Sequence, residues 1–379
     1  MPFSSLGLSP ALLKVLDQQK YSEPTPIQSA VIPHILEKKD VLGISKTGSG
    51  KTASYVLPIL MNLQDKVKTK NRSAQVLVLV PTRELAVQVN HVFQLFNNGL
   101  EQKIKSLAVF GGVSINPQMM SLNNVNVLIA TPGRLLELLS ANAVHLDEIE
   151  TLVLDEADKM LSVGFEEEMK RILEYLPKKH QNLLFSATLS KDLETLKMLV
   201  LRNPVVIEIE EKENEENLDL IQQIGYFVDE ERKGPLLRYL IKQKEMKQVL
   251  VFTSSVYKAD NVTDKLKKNG VDAMAIHSKK SQGARTDALT KFKAGKLKVL
   301  VATDLISRGI DISFLPYVIN YELPRSPKDF IHRIGRTGRA ENPGEAISLI
   351  TPEEQHHFRV IQKKMGKWVT MIESEGLAL

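Results

Sequence analysis

The sequence predicts two α/β domains in tandem, each built on a doubly wound parallel sheet. The chain has 379 residues, which is too long for one ordinary hydrophobic core and suits two. Short, continuous apolar runs such as Val76–Val80 alternate with helical patterns such as Leu85–Phe96, as in sheets covered on both faces. Between the two blocks, Glu208–Asn217 contains six glutamates in ten residues, which predicts a solvated linker.

Composition excludes several classes of protein. Hydrophobic residues make up 43% and charged residues 25% of the chain, as in globular proteins. No apolar run reaches the roughly 18 residues of a membrane span, and the first residues lack the features of a signal peptide, so we expect a cytoplasmic protein without a membrane partner. The absence of cysteine excludes disulfides and thiolate metal sites. The net charge of +5 and pI near 9.0 slightly favour a polyanionic partner.

Ser45–Thr52 is a candidate phosphate-binding loop. It follows the strand-like run Val41–Ile44 and precedes the helical run Ala53–Leu57, the context that such a loop requires. Ser45 departs from the general pattern, which has glycine there, and a glycine-rich turn that binds nothing is the alternative. The expected nucleotide contacts are Lys46, Thr47, Gly48, Ser49, Gly50, Lys51 and Thr52. Lys51 would reach the β- and γ-phosphates, and the Thr52 hydroxyl would take one Mg²⁺ position.

Tyr21–Gln28 precedes the first predicted helix of the nucleotide site. Pro24 and Pro26 hold this segment extended, and Gln28 starts a helix that runs to about Leu36. A glutamine amide pairs with N6 and N7 of adenine, and Tyr21 or Phe3 is placed to cover the purine face. A proline-bounded turn without a ligand is the alternative.

Acidic and hydroxyl residues follow two later strands. The run Leu152–Leu154 leads into Asp155, Glu156 and Asp158, and an acidic strand end after a phosphate loop predicts the second half of a nucleotide–Mg²⁺ site. Asp155 would hold the metal, and Glu156 would orient or deprotonate an attacking water. After Leu183–Phe185, the small residues Ser186, Ala187 and Thr188 are expected to bond Asp158. An exposed acidic turn is the alternative.

Three further strand ends carry residues that suit a phosphodiester chain. Arginines, hydroxyls and glycine N–H groups contact phosphate and sugar, and no aromatic residues interleave for base stacking. Such contacts would ignore base sequence. The candidate contacts are Pro81, Thr82, Arg83, Gly111, Gly112, Thr131, Pro132, Gly133 and Arg134.

The second block repeats the α/β pattern but contains no phosphate loop. Its strand-like runs are Ile224–Val228, Val249–Phe252, Ala273–Ile276, Val299–Ala302, Val318–Tyr321 and Ala346–Ile350. His332–Arg339 contains three arginines at three-residue spacing, Arg333, Arg336 and Arg339. Guanidiniums of this kind suit a γ-phosphate and act as an arginine finger, which is worth roughly 10³–10⁵ in rate. A basic surface loop is the alternative.

Together these motifs resemble the DEAD-box family of ATP-dependent RNA helicases. The resemblance covers Phe3 to about Ile350, with the motifs in family order. It includes Val251–Thr253, Gln282–Arg285 and Thr303–Asp311. The departures are Lys20 where glycine is usual, Ser45 where alanine is commoner, and Leu305-Ile306-Ser307 in place of Val-Ala-Ala.

The resemblance implies two RecA-like domains and a role for each matching residue. It implies domains at 1–209 and 218–379 joined by an acidic linker at 210–217. Asp311 approaches the ribose, Arg336 and Arg339 reach the γ-phosphate, and His332 belongs to the same catalytic motif. Thr253 and Thr303 join the RNA contacts. Asp158, Ser186, Thr188 and Arg333 couple the domains.

The expected function is an ATP-dependent RNA helicase that uses ATP and Mg²⁺. It is expected to bind the sugar–phosphate backbone of RNA without regard to base sequence, and to be a monomer. ATP and RNA would each contact both domains, so their binding should be cooperative, and closure would pry short duplexes apart. Two alternatives remain open: an ATP-gated RNA clamp or annealing factor, and a DNA-unwinding motor on the same plan.

The last segment predicts one helix packed on the second domain. Phe358, Ile361 and Met365 have helical spacing, and Trp368 is interpreted as a core or edge anchor rather than a base stacker. No Arg/Gly-rich or Lys-rich tail follows, so the physiological RNA and any protein partners are not indicated by the sequence.

Overall fold

The computed structural model describes residues 2–46, 48–64, 71–189, 191–209, 221–304, 315–338 and 344–377. The chain divides into two compact units, Met1–Glu211 and Lys212–Leu379. In its described residues, each unit contains a seven-stranded sheet whose paired strands run parallel. The predicted pair of doubly wound α/β domains is therefore confirmed. The predicted linker, 210–217, lies outside the described residues.

The first sheet has the strand order β3-β4-β2-β5-β6-β1-β7. Its strands are β1 (Val41–Ile44), β2 (Val76–Leu79), β3 (Ser106–Val109), β4 (Val127–Ala130), β5 (Thr151–Leu154), β6 (Gln181–Ser186) and β7 (Val205–Glu208). The helices are α1 (Pro10–Gln18), α2 (Pro26–Leu36), α3 (Lys51–Leu63), α4 (Arg83–Asn97), α5 (Ile115–Ser121), α6 (Pro132–Ser140), α7 (Ala157–Ser162), α8 (Glu166–Leu173) and α9 (Lys191–Val200).

The apolar strands are continuous because helices cover both faces of the first sheet. Along β2, Val76 and Val78 pack into the core on one face, while Leu77 and Leu79 pack into the core on the other. Successive side chains of a strand point to opposite faces, so a strand buried on both sides needs apolar residues at every position.

The second sheet has the strand order β10-β11-β9-β12-β13-β8-β14. Its strands are β8 (Ile221–Phe227), β9 (Val249–Thr253), β10 (Ala273–Ile276), β11 (Val299–Thr303), β12 (Tyr317–Asn320), β13 (Gly344–Ile350) and β14 (Thr370–Glu373). The helices are α10 (Lys233–Gln243), α11 (Val256–Lys268), α12 (Gln282–Lys293), α13 (Pro327–Ile334) and α14 (Gln355–Met365). In the described residues, no helix is both long and apolar enough to span a membrane.

The prediction that Trp368 is a core or edge anchor is wrong. The last helix, α14, forms as expected and buries Phe358 and Ile361. It ends at Gly366, whose φ of 72° is left-handed, a conformation that glycine adopts readily. Trp368 therefore lies beyond the helix, and its side chain is 71% exposed.

Candidate active site

The predicted nucleotide residues of the first unit meet at the carboxyl edge of its sheet. Strands β5, β6 and β1 are neighbours, and they lead into Asp155, Ser186 and Ser45 respectively. Parallel strands end at the same edge, where ligand sites of open α/β sheets form. Three stretches that lie up to 141 residues apart in sequence, from Ser45 to Ser186, are brought together in this way.

The phosphate loop binds its own lysine in this structure. Lys51 Nζ donates hydrogen bonds to the carbonyl oxygens of Ser45 and, at 2.9 Å, Lys46. The hydroxyls of Ser45 and Ser49 lie 2.7 Å apart, so the serine that departs from the usual pattern braces the loop. Thr52 lies in the first turn of α3, as expected for a residue that follows the lysine. Thr47 lies outside the described residues.

Gln28 packs against the phosphate loop. Its amide Nε2 donates to the Gly50 carbonyl at 3.2 Å, and its Oε1 accepts from the Thr25 N–H at 3.0 Å. Gly50 has a φ of 95°, and a Cβ there would lie 2.5 Å from Gln28 Nε2. The amide group keeps one N–H and one oxygen lone pair for a ligand. The loop and the glutamine therefore form one unit.

The two aromatic candidates for covering a purine differ in exposure. Phe3 is 5% exposed and belongs to the core, so it is not available to a ligand. Tyr21 is 37% exposed and stacks edge-on against Phe96, with 5.4 Å between ring centroids. Of the two, Tyr21 is the side chain that the structure leaves accessible.

Asp155 is held by a tyrosine that the sequence reasoning missed. Its carboxylate is buried, and Oδ2 accepts a hydrogen bond from the Tyr55 hydroxyl at 2.8 Å. Oδ1 accepts from the Glu156 N–H at 2.9 Å. Tyr55 lies in α3, one turn after the phosphate loop. The sequence could have predicted this contact, because Tyr55 lies on the helix directly after the phosphate loop and a buried tyrosine hydroxyl needs a hydrogen-bond partner.

Glu156 has a left-handed backbone, with a φ of 53°. Non-glycine residues pay for this conformation, and such strain concentrates at functional sites. Carboxylate atom Oε1 accepts from Lys159 Nζ at 2.6 Å. The other oxygen, Oε2, is buried and has no hydrogen-bond partner among the described residues. Glu156 therefore keeps one oxygen that can accept a proton or a water hydrogen bond.

Burial and charge set the protonation of these groups. Burial raises the pKa of the Asp155 and Glu156 carboxyls, and the charges of Lys51 and Lys159 act in the opposite direction. Burial also lowers the pKa of Lys51, while the Asp155 and Glu156 charges raise it. These opposed charges compensate one another in a site where a lone ion would be costly.

The hydrogen bond expected between Asp158 and the Ser-Ala-Thr stretch is present. The Thr188 hydroxyl donates to Asp158 Oδ2 at 3.1 Å. Ser186 in turn donates to the Thr188 carbonyl at 2.9 Å. The end of β6 is thereby tied to α7, which follows the acidic strand end.

Arg83 and Gly112 form a second cluster at the same edge. The Thr82 hydroxyl caps α4 by accepting from the Leu85 N–H at 3.3 Å, with buried Pro81 before it. Gly112 has a φ of 72°, and a Cβ there would lie 1.9 Å from Arg83 Nη2. Glycine at position 112 therefore leaves room for the Arg83 guanidinium.

Arg134 braces this cluster from within the protein. Its side chain is 5% exposed, donates from Nη2 to the Val113 carbonyl at 2.7 Å and pairs through Nε with Glu137 at 2.7 Å. Thr131 and Pro132 are buried beside it, and Gly133 is half-buried. In this structure, Arg134 therefore holds the Gly111–Val113 turn.

In the second unit, Thr253, Thr303 and Arg333 lie at the carboxyl ends of strands, whereas the Arg336 carbonyl accepts from the Leu315 N–H just before β12. Thr253 and Thr303 are register partners at the ends of β9 and β11; Thr253 is buried and Thr303 half-buried. On α13 and just after it, His332 is exposed, Arg333 is buried and Arg336 is half-buried. Asp311 and Arg339 lie outside the described residues.

Comparisons with known proteins decide the family. Residues 25–196 match the family model described as DEAD/DEAH box helicase, and residues 232–341 match the helicase conserved C-terminal domain. The chain is 38% identical, over 99% of its length and 70% of the relative's, to the DEAD-box ATP-dependent RNA helicase CshA of Bacillus cereus. The chain belongs to the DEAD-box family of ATP-dependent RNA helicases. Against CshA of Geobacillus kaustophilus it is 37% identical, over 96% of this chain and 78% of the relative.

Solved structures of DEAD-box proteins show the same fold. Dbp5 of Saccharomyces cerevisiae, bound to RNA and ADP BeF3, superposes with a TM-score of 0.83 at 32% identity and covers 99% of this chain and 96% of that chain. A DEAD box protein from the hyperthermophile Methanococcus jannaschii superposes with a TM-score of 0.53 at 34% identity, covering 98% and 99% of the two chains. In this DEAD-box helicase, the residues that give the family its name are Asp155–Asp158.

Proposed function

We propose that this DEAD-box helicase binds ATP and single-stranded RNA and uses ATP hydrolysis to separate short RNA duplexes or remodel RNA–protein complexes. One observation carries the proposal: Lys51, Asp155 and Glu156 are all buried at the carboxyl edge of the first sheet, where β1 and β5 end. A cation for phosphates, a carboxylate for a metal and a candidate base are the parts that phosphoryl transfer to water needs.

The residues present suit Mg²⁺ bound mainly through the nucleotide. In the described part of the chain, no three His, Cys, Asp or Glu side chains are grouped to hold a metal. Mg²⁺ commonly takes one or two protein oxygens and completes its shell with phosphates and water. We assign Thr52 and Asp155 to those positions, where the ion would neutralise developing phosphate charge.

The second unit supplies the remaining residues in this proposal. Arg336 and Arg339 are assigned to the γ-phosphate and Asp311 to the ribose, on family resemblance. The half-buried side chain of Arg336 suits a residue that meets a ligand. Arg333 is assigned no such contact, because its guanidinium is consumed within the unit by Asp304, Asn320 and the Glu322 carbonyl.

RNA is proposed to run along the clusters built on Arg83, Gly112 and Thr131 in the first unit and on Thr253 and Thr303 in the second. These groups present guanidinium, hydroxyl and backbone N–H donors, which read phosphate and sugar rather than bases. Recognition of the 2′-OH would distinguish RNA from DNA. Each base-pair step costs on the order of 1–2 kcal/mol to break, so local separation of a few steps is within reach of one ATP cycle.

Steady-state ATPase measurements with and without single-stranded RNA test the proposal. We expect RNA to stimulate turnover at about 50 mM salt and much less at about 200 mM, because phosphate contacts release counterions. DNA of equal sequence should stimulate less. Turnover that ignores RNA at both salt concentrations would contradict the proposed substrate.

A strand-displacement assay on a short RNA duplex separates unwinding from clamping. ATP-dependent displacement supports the helicase activity proposed here. ATP-dependent RNA binding without displacement would instead assign the chain to the clamp or annealing alternative.

A further inference from the structure

Ten lysines surround the amino edge of the second sheet, opposite the edge that carries Thr253 and Thr303. In a parallel α/β unit, helices end where strands begin, so the turns before β9, β10 and β11 share this edge. Three segments form it: 242–248, 264–272 and 291–298. We call this surface the lysine edge. Its lysines are Lys242, Lys244, Lys247, Lys265, Lys267, Lys268, Lys291, Lys293, Lys296 and Lys298.

Hydrogen bonds hold the three segments side by side. Gln248 Nε2 donates to the Phe292 carbonyl at 2.6 Å, and the Val249 N–H donates to the Lys298 carbonyl at 2.9 Å. The Val299 N–H donates to the Asp272 carbonyl at 3.0 Å. Neighbouring strands are about 5 Å apart, so the three turns share one end of the sheet, with α10 and α11 ending on one face and α12 on the other.

Acidic residues do not balance this charge. The three segments contain only Glu245, Asp264 and Asp272. From outside them, Glu345 pairs with Lys244 at 2.7 Å, and Asp287 pairs with Lys291 at 2.8 Å. Lys267, Lys268, Lys296 and Lys298 are exposed and form no ion pair with residues that the structure describes. The surface is therefore strongly positive.

The first unit provides an internal comparison because it has the same architecture. The described segments before its seven strands, taken with the last four residues of any helix that leads into them, contain eleven basic and eight acidic residues. These segments are 37–40, 71–75, 98–105, 122–126, 141–150, 174–180 and 201–204. The net charge there is about +3 over seven segments, against +7 over the three segments of the lysine edge, so the fold itself does not require a lysine edge.

Helix dipoles explain the position of some lysines of the lysine edge but not of the others. Lysines in the last turns of α11 and α12 interact favourably with the partial negative charge of a helix end, and Lys265, Lys267, Lys268, Lys291 and Lys293 are of this kind. Lys247, Lys296 and Lys298 lie beyond the helix ends. Since like charges repel, their concentration at one edge costs stability unless a polyanion binds there.

We propose that the lysine edge is an accessory RNA-binding surface, which holds the phosphate backbone of a structured or long RNA outside the motif-built site. The proposal rests on the proposed RNA substrate. The apolar residues of these segments, among them Met246, Leu266 and Phe292, are buried, so no apolar group is offered to a membrane or to a protein interface core. Lysine is depleted in protein interfaces, whereas it binds phosphate as a point charge.

The test compares two matched pairs of lysines in the last turns of two helices of the same unit. The test variant is Lys267→Gln with Lys268→Gln on α11, and the control is Lys363→Gln with Lys364→Gln on α14. All four side chains are exposed, and glutamine keeps helix propensity. Binding to a single-stranded oligoribonucleotide of about ten residues and to a hairpin RNA of about forty is measured by fluorescence anisotropy over a salt series.

For the test variant, we expect affinity for the hairpin RNA to fall roughly fivefold and the salt slope to decrease by about 1.5, for two lost phosphate contacts. Affinity for the short strand and RNA-stimulated ATPase should be unchanged. Equal effects from both lysine pairs, an unchanged affinity for the hairpin, or a loss only of binding to phosphatidylserine vesicles would each overturn the proposal. A wild-type chain whose ATPase ignores RNA would instead contradict the proposed function.

Discussion

Arg333 and Asp304 form a bidentate ion pair inside the second unit. Arg333 Nε lies 2.6 Å from Oδ1 of Asp304, and Nη2 lies 2.7 Å from Oδ2. The remaining nitrogen, Nη1, donates to Asn320 Oδ1 and to the Glu322 carbonyl. With Arg333 only 2% exposed, this pair joins α13 to the ends of β11 and β12 and thereby fixes the motif that carries His332 and Arg336.

The first prediction is that Arg333→Lys destabilises the second unit. Lysine cannot reproduce the planar fork that satisfies the half-buried Asp304, and a buried cation that is imperfectly paired is costly. We expect a loss of about 2 kcal/mol or more, which lowers the thermal transition of this unit by roughly 4–8 °C. Circular dichroism of the full chain measures it. Arg359→Lys, at an exposed position of α14, should leave the transition in place.

A second prediction concerns Tyr55, which donates to the buried carboxylate of Asp155. Tyr55→Phe keeps the packing and removes the hydroxyl that orients the proposed metal ligand. Partners that orient a ligand typically contribute 10- to 100-fold to metal affinity. We expect ADP binding in the presence of Mg²⁺ to weaken roughly tenfold, while binding in EDTA is unchanged.

Isothermal titration calorimetry measures both affinities for Tyr55→Phe. Tyr175→Phe, whose ring is half exposed in the same unit, is the control and should change neither. A loss that is equal with and without Mg²⁺ would show that Tyr55 supports the loop rather than the metal position.

A third prediction separates two adjacent glycines. Gly112 has a positive φ, and a Cβ there would overlap the Arg83 guanidinium, whereas a Cβ on Gly111 meets nothing within 4 Å. Gly112→Ala should displace Arg83, weaken RNA binding several-fold and cost about 1 kcal/mol of stability through backbone strain.

Gly111→Ala is the matched control for Gly112→Ala and should bind RNA as the wild type does. Fluorescence anisotropy with single-stranded RNA and a parallel titration of ADP measure the two sites separately. If Gly112→Ala binds RNA normally, Arg83 does not contact the RNA from its present position.

The fourth prediction uses Lys20, where the family usually has glycine. Its φ is 60°, a left-handed conformation that costs a non-glycine residue about 1 kcal/mol or more. Lys20→Gly should therefore raise the thermal transition of the first unit by roughly 2–4 °C. Lys14→Gly, on the exposed face of α1, should lower it by a similar amount because glycine is a poor helix former.

The sequence predicted most strands of both sheets and missed β7 and β14, which are two of the four edge strands. Strands β2 and β9 are buried at every position and were predicted almost to the residue. Strands β7 and β14 are only partly buried, and their apolar runs, Val205–Ile207 and Met371–Ile372, are short. Glu208 was assigned to the acidic stretch but ends β7, because an edge strand tolerates a charged residue at its end.

The candidate site was predictable where a short motif contains it and not where distant elements meet. The phosphate loop, Ser45–Thr52, and the acidic strand end, Asp155–Asp158, are each one continuous stretch of sequence. The contact between Tyr55 and Asp155 spans 100 residues, and the Arg333–Asp304 pair spans 29. Neither contact leaves a local pattern, since each depends on which strands become neighbours. The roles assigned to Asp311 and Arg339 stay predictions.

The last prediction is that Glu156→Gln separates nucleotide binding from turnover. Glu156 Oε2 is buried and has no partner among the described residues, and burial raises the pKa of this carboxyl, which strengthens it as a base once ionised. The glutamine side chain has the same size as glutamate and can still form hydrogen bonds with water, but it cannot accept a proton from an attacking water. RNA-stimulated turnover should fall by roughly 10²–10⁴-fold. ADP affinity should stay within about threefold of the wild type, because a base that acts only in the transition state does not contribute to nucleotide binding.

Lys51→Ala provides the contrast for Glu156→Gln, because removing the phosphate cation should weaken ADP binding as well as abolish turnover. Single-turnover hydrolysis with saturating ATP isolates the chemical step in both variants, and calorimetry gives the affinities. Near-normal hydrolysis in purified Glu156→Gln would remove the base role from this carboxylate, and the strain at its left-handed backbone would then need another explanation.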